Sequence, residues 1–146
     1  ITFGTWSRAY GMLDDNQDQK PVSDAFCLSV NEMTSFSQAI TDLRNKCAHQ
    51  SRVWDHRFVS VPRKKGTLNG VVTDNSRLFA QTAALIYCLW TVEPENGWLD
   101  RLEIHRGNYP VGNIGLMGFP ADWKEQLLSL REKATGRGQA PSPASS

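Results

Sequence analysis

The sequence predicts an all-α domain, on three observations. Phe36, Ile40, Leu43 and Cys47 recur at spacings of three and four. Leu78–Val92 is an apolar run of 15 residues, the length of a buried helix. Nowhere does hydrophobicity alternate convincingly at period two over the length of a strand. With 146 residues, 40 % hydrophobic and 21 % charged, the chain has material for one packed core, anchored by five Trp and six Phe.

About six helices with a long basic connection after the third are expected. Thr5–Leu13 reads as a short helix with Trp6, Ala9, Tyr10 and Leu13 at helical spacing, ended by the polar run Asp14–Lys20. Pro21–Leu28 reads as a second, with proline in its first turn. In the third, Ser35 and Gln38 suggest a capping box. Phe36, Ile40, Leu43, Cys47 and Trp54 make its apolar stripe, about 60° wide. It should end near His49 or just past Trp54. Val59–Val72 then reads as an irregular connection punctuated by Pro62, Gly66 and Gly70. Asp74 or Ser76 is expected to cap a long helix through Val92, apolar nearly all round and therefore central, ended by Pro94. Asn96 caps a helix through His105, closed by Gly107 and Pro110. A glycine-rich loop over 107–119 leads through Pro120 to a last helix with Trp123, Leu127, Leu130 and Ala134 on one face. The domain is expected to cover 1–134, with 135–146, rich in Gly, Pro and Ser, as a disordered tail.

Several function classes are disfavoured. The cysteines Cys27, Cys47 and Cys88 are odd in number and widely spaced, with no CxxC pair, so neither a disulfide framework nor a zinc site is expected. Free thiols, a cytoplasmic location and no cofactor or metal are the expectation. The 15-residue apolar run is too short to span a bilayer, no signal peptide opens the chain, and no membrane partner is expected. Ile1 in place of an initiator Met suggests a fragment or a processed form.

The net charge of +1 hides an asymmetry. Residues 1–43 carry two basic and six acidic groups, net −4, and residues 67–146 seven and eight, net −1. Residues 44–66 carry Arg44, Lys46, Arg52, Arg57, Arg63, Lys64 and Lys65 against Asp55, a net of +6. Such a stripe suits a phosphate backbone, as in RNA; a solvated loop between helices shows the same composition.

Taking the apolar stripe as inward, Arg44 projects about 70° from its centre, whereas Asn45, His49 and Arg52 fall about 150° or more away. His49 therefore lies on a polar face, as an ordinary surface histidine also would. RNA cleavage by internal transfer needs a base for the 2′-OH, an acid for the leaving 5′-oxygen and positive charge on the phosphorane. Histidine suits the proton transfers and arginine the phosphate oxygens. Five residues apart, Arg44 and His49 point about 140° from each other on a straight helix, which argues for a composite site between two copies. Weaker candidates are His56, seven residues beyond His49, and His105, near a helix end; Trp54 reads as packing, and Gly112–Gly118 lacks the context of a phosphate loop.

Leu43-Arg44-Asn45-Lys46-Cys47-Ala48-His49-Gln50-Ser51-Arg52-Val53-Trp54-Asp55 resembles the Abi-like (abortive infection) signature, roughly LRNxCAHxxRLWN. Phe3-Gly4-Thr5-Trp6-Ser7 is similar to that family's FGTLS, and Met117-Gly118-Phe119-Pro120 with Trp123 to its MGFPxxW. Val53 and Asp55 depart from the usual Leu and Asn, and family members carry a further helical N-terminal half. The resemblance implies a HEPN-like helical bundle whose RxxxxH motif is Arg44 and His49, followed in role by Asn45. It further implies phage defence or a toxin role, metal-independent endoribonuclease activity in a homodimer, and restraint by an antitoxin RNA or protein. Lys46, Arg52, Arg57, Arg63, Lys64 and Lys65 are then the expected RNA-binding cations. The alternatives are a non-catalytic RNA-binding or regulatory module and a helical dimerisation domain.

Overall fold

A helix with no polar face must be wrapped by others, and residues 78–92 set the architecture accordingly. The structure, a computed structural model, describes residues 3–13, 15–108 and 112–136. In it α1 (Phe3–Met12), α2 (Asp15–Ala25), α3 (Val30–Ala48), α4 (Leu78–Val92), α5 (Trp98–Asn108) and α6 (Trp123–Gly136) are joined by turns and one 3₁₀ turn at Ile114–Met117, with no strand among the described residues. The all-α expectation holds. α1 and α2 pack on α3, α3 on α4, and α4 on α6. Phe79, Ala83, Ile86, Tyr87 and Trp90 of α4 lie in the core with Phe36 of α3 and Leu127 and Leu130 of α6. No helix among the described residues is long and apolar enough to cross a membrane.

Several boundaries differ from the sequence reading. α1 ends at Met12, but α2 starts at Asp15 and carries Pro21 inside it, so residues 15–20 of the polar run are helix. Aspartate, glutamine and lysine tolerate a helix whose outer face meets water. Gln19 also ties it to α1, its Nε2 donating to the Tyr10 carbonyl at 3.0 Å. α3 begins one and a half turns early, because the capping box is Ser29 with Glu32, not Ser35 with Gln38. Asp74 does not cap α4 either: Arg77 is the N-cap without a side-chain bond, while the Asp74 carboxylate holds a turn by accepting from the N–H and hydroxyl of Ser76. Gly97, not Asn96, is the N-cap of α5, its carbonyl accepting from Arg101 N–H at 3.1 Å, while Asn96 just before it accepts from Trp98 N–H at 3.2 Å. The helix runs past Gly107 to Asn108, and Pro110 lies outside the described residues. α6 buries Trp123, Leu127, Leu130 and Ala134, as its spacing predicts, and continues to Gly136. The first two residues assigned to the tail are thus helical, and 137–146 lie outside the described residues.

The connection over 49–77 is not simply a solvated loop. Phe58, Pro62, Thr67, Leu68, Val71 and Val72 are buried along it. It doubles back along α3. Phe58 lies under the Lys46 ammonium, 6.0 Å from Nζ to the ring centre. Further on, Arg63 N–H donates to Ser35 Oγ at 2.9 Å, and Thr67 N–H to Glu32 Oε1 at 2.7 Å. Lys46, Ser35 and Glu32 are met in reverse order, so basic residues are laid out antiparallel to the helix.

Candidate functional site

The end of α3 is shaped by how its last carbonyls find partners. His49 is the C-cap, with φ −90° and ψ 10°. Gln50 N–H donates to the Cys47 carbonyl at 3.1 Å and Ser51 N–H to the Lys46 carbonyl at 2.8 Å. This is a Schellman closure, which puts Gln50 at φ 52°, a left-handed position usually taken by glycine. The helix therefore stops at Ala48. Trp54 leaves the helical stripe, and His56 cannot share a helical face with His49; its ring meets Phe58 edge-on at 5.0 Å.

The stripe itself fades toward this end. Phe36 and Ile40 are buried, Leu43 is half-buried, and Cys47 is exposed, so no residue from Thr41 to Ala48 is fully covered. On this projecting end Arg44 and His49 are exposed and Asn45 half-buried. Asn45 touches both neighbours of interest: its Oδ1 accepts from Arg44 Nη1 at 3.0 Å, and its carbonyl accepts the His49 backbone N–H at 3.0 Å. One amide thus orients the guanidinium and leaves its remaining donors for an anion.

The other predicted cations are spread out. Lys46 sits over Phe58, and Arg52 Nε donates to the Trp54 carbonyl at 2.9 Å. Arg57 is engaged with Asp74 at 3.2 Å and Ser76 at 3.0 Å, a pairing that crosses 17 positions of sequence and could not be read from spacing. Lys64 Nζ donates to the Thr73 carbonyl at 2.8 Å, and Arg63, Lys64 and Lys65 are all exposed. Because Arg63 docks at Ser35, this basic turn lies about 21 Å from His49 along the helix axis, at 1.5 Å per residue. The structure gathers Arg44, Asn45 and His49 on one helix end and leaves 63–65 at the other.

Sequence reasoning missed Arg77. Its guanidinium is largely covered and bonds Asp55 at 2.7 Å, with Asp74 at 3.6 Å. Gly118 packs against the same side chain: at φ 80°, a Cβ there would lie 2.7 Å from Arg77 Cβ. Phe119 follows, 5.0 Å from the Phe79 ring centre and 5.9 Å from that of Trp123. Residues 54–55 and 117–123 are thereby joined, and Trp54, Phe119 and Trp123 help line an open cleft of about 740 Å³. The signal was in the sequence as separate short motifs, without anything to say that they touch. A second cleft of about 410 Å³ lies between α4 and α5, with His105 on its wall; Arg44, Asn45 and His49 line neither. Among the described residues no group of three or more His, Cys, Asp or Glu converges as a metal site.

Glu32 anchors the opposite end of α3. Burial alone would push its carboxyl up, but hydrogen bonds from Thr67 and Ser29 outweigh that and hold it below the ordinary carboxylate value. Cys88 in α4 is pushed up to about 12 by burial, which leaves it a packing residue rather than a nucleophile.

The family model described as Abi-like protein matches residues 1–55, a stretch that holds α1 to α3 and ends at Asp55. No curated protein and no solved structure matches the chain. The match takes in Phe3–Ser7, whose Gly4 packs close to Thr41 of α3, and the whole of Leu43–Asp55. Through these 55 residues, the ones that build the Arg44–His49 helix end, the chain is similar to the Abi-like family.

Proposed function

We propose that this chain acts on RNA in phage defence, as a metal-independent endoribonuclease of the HEPN type. Arg44 binds and stabilises the scissile phosphate, Asn45 holds that arginine, and His49 exchanges protons. The observation that carries the reading is the helix end itself. Arg44 and His49 are exposed where α3 projects, and Asn45 contacts both without burying either. The Abi-like match, whose name denotes abortive infection, supports the defence role. In the reaction, a base removes the 2′-OH proton and the freed oxygen attacks phosphorus. The P–O5′ bond breaks, and the leaving oxygen takes a proton, giving a 2′,3′-cyclic phosphate and a 5′-hydroxyl end. General acid–base help of this kind is worth about 10²–10⁴-fold.

Arg44 and His49 point to different sides of α3, so a site built from two copies completes the constellation better than one chain does. The test is cleavage of labelled RNA by purified protein in excess chelator. Loss of cyclic-phosphate product in His49→Ala and Arg44→Ala, with melting unchanged, is expected. Persisting cleavage in His49→Ala would end the catalytic assignment. RNA binding without cleavage in the parent protein would select the non-catalytic reading, which the divergent directions of Arg44 and His49 favour for a single chain.

A further inference from the structure

The seven cations of the +6 segment are not gathered around His49, and their arrangement has a direction. The connection runs antiparallel to α3, with its contacts at Lys46–Phe58 and Ser35–Arg63 marking the path. At about 100° per residue, Ser35 and His49, fourteen positions apart, lie within about 40° of the same side of the helix, and Lys46 within about 20° of Ser35. Arg63, whose N–H docks at Ser35, therefore brings the turn it shares with Lys64 and Lys65 to the flank of Lys46 and His49. Asp42 falls on this flank between the two ends and is half-buried.

We propose that this flank is a two-point track for single-stranded RNA. One end of the strand is held at His49 and Lys46, the other at Arg63–Lys65, and between them the strand runs beside residues 58–63 on the side of Asp42 and His49. The proposal rests on the RNA reading above and adds a minimum length to it. The ends are about 21 Å apart along α3. A stacked strand advances about 3.4 Å per nucleotide, so about six nucleotides are needed to reach from one end to the other. Shorter RNAs engage only one end. The exposed cations act by releasing counterions, so each contact should appear in the salt dependence, about 0.7 in log–log slope per phosphate neutralised on a single strand.

The experiment measures binding of a 4-mer and a 12-mer RNA of one repeated sequence to the full chain, each over a range of salt. The parent protein should prefer the 12-mer. In Arg63→Gln/Lys64→Gln/Lys65→Gln that preference should shrink by about tenfold, and the 12-mer salt slope should fall by about two units. Asp42→Asn should strengthen the 12-mer more than the 4-mer. Lys64 gives up its bond to Thr73, so Lys65→Gln, which removes no hydrogen bond seen among the described residues, serves if the triple variant unfolds, with a slope change of about 0.7. Equal weakening of both lengths, or an unchanged 12-mer slope with RNA still bound, would overturn the track and leave the site at His49 standing. No measurable RNA binding by the parent protein at low salt would overturn both the track and the RNA reading on which it rests.

Discussion

Single residues carry more of this fold's logic than their positions suggest. Gln50 occupies the left-handed turn that ends α3, at φ 52°, where glycine has no steric cost. Gln50→Gly should therefore stabilise the domain by up to about 1 kcal/mol in denaturant melts, whereas a β-branched residue there should destabilise it. Glu32 offers a pH test. Its folded carboxyl titrates below the ordinary 4.5, so its stabilising contribution is complete above that value and drains away as pH falls through the folded one. Glu32→Gln should cost about 1–3 kcal/mol at neutral pH and flatten the loss of stability below pH 4.5. An unchanged acid profile would mean that the Thr67 and Ser29 bonds are not what holds the charge. At this scale the sequence was only partly legible. Ser29-x-x-Glu32 is as good a capping box as Ser35-x-x-Gln38 on paper, and only the docking of Thr67 distinguishes them.

At the scale of elements, apolar periodicity was the reliable guide, because burial is what turns a pattern into a helix. α4 and α6 sit where their spacing places them. Ile86→Ala should cost about 2–5 kcal/mol, since that side chain is closed in the core. Leu85→Ala should cost less, because Leu85 is half-buried and faces the cleft shared with α5. Chemical denaturation of the two variants checks the order. The α3 stripe was over-extended for a physical reason: Cys47 and Trp54 keep helical spacing on paper, but the Schellman turn after Ala48 takes the chain off the axis. The polar first half of α2, before Pro21, was missed for the converse reason, since a surface helix needs few apolar residues to persist once Tyr10 and Gln19 tie it down.

Across the whole molecule, the basic stripe was legible as charge and illegible as shape. Nothing in the order of residues 44–66 says that Arg57 is taken by Asp74 or that Arg63 lies a helix-length from His49. The candidate motif was readable as Arg44, Asn45 and His49, and so was the outward direction of His49; the projecting helix end that carries them was not. If two copies complete the site, chains carrying Arg44→Ala and His49→Ala should regain cleavage when mixed, and a failure of mixed chains with intact dimers would place both groups in one subunit. Thiol accessibility gives an independent view of the fold: exposed Cys47 should react quickly with a small maleimide, and half-buried Cys88, whose thiol burial pushes up to about 12, far more slowly.

The Glu32 carboxylate joins the start of α3 to Thr67, while Phe58 meets Lys46 near the other end of the helix, so residues 29–67 form a loop fastened at both ends. A stretch fastened in this way opens as one piece or not at all. In native-state amide exchange the Thr67 N–H should share its opening free energy with the first turns of α3 rather than with its own turn. In Glu32→Gln the protection of both should fall together, and α6 should keep its own.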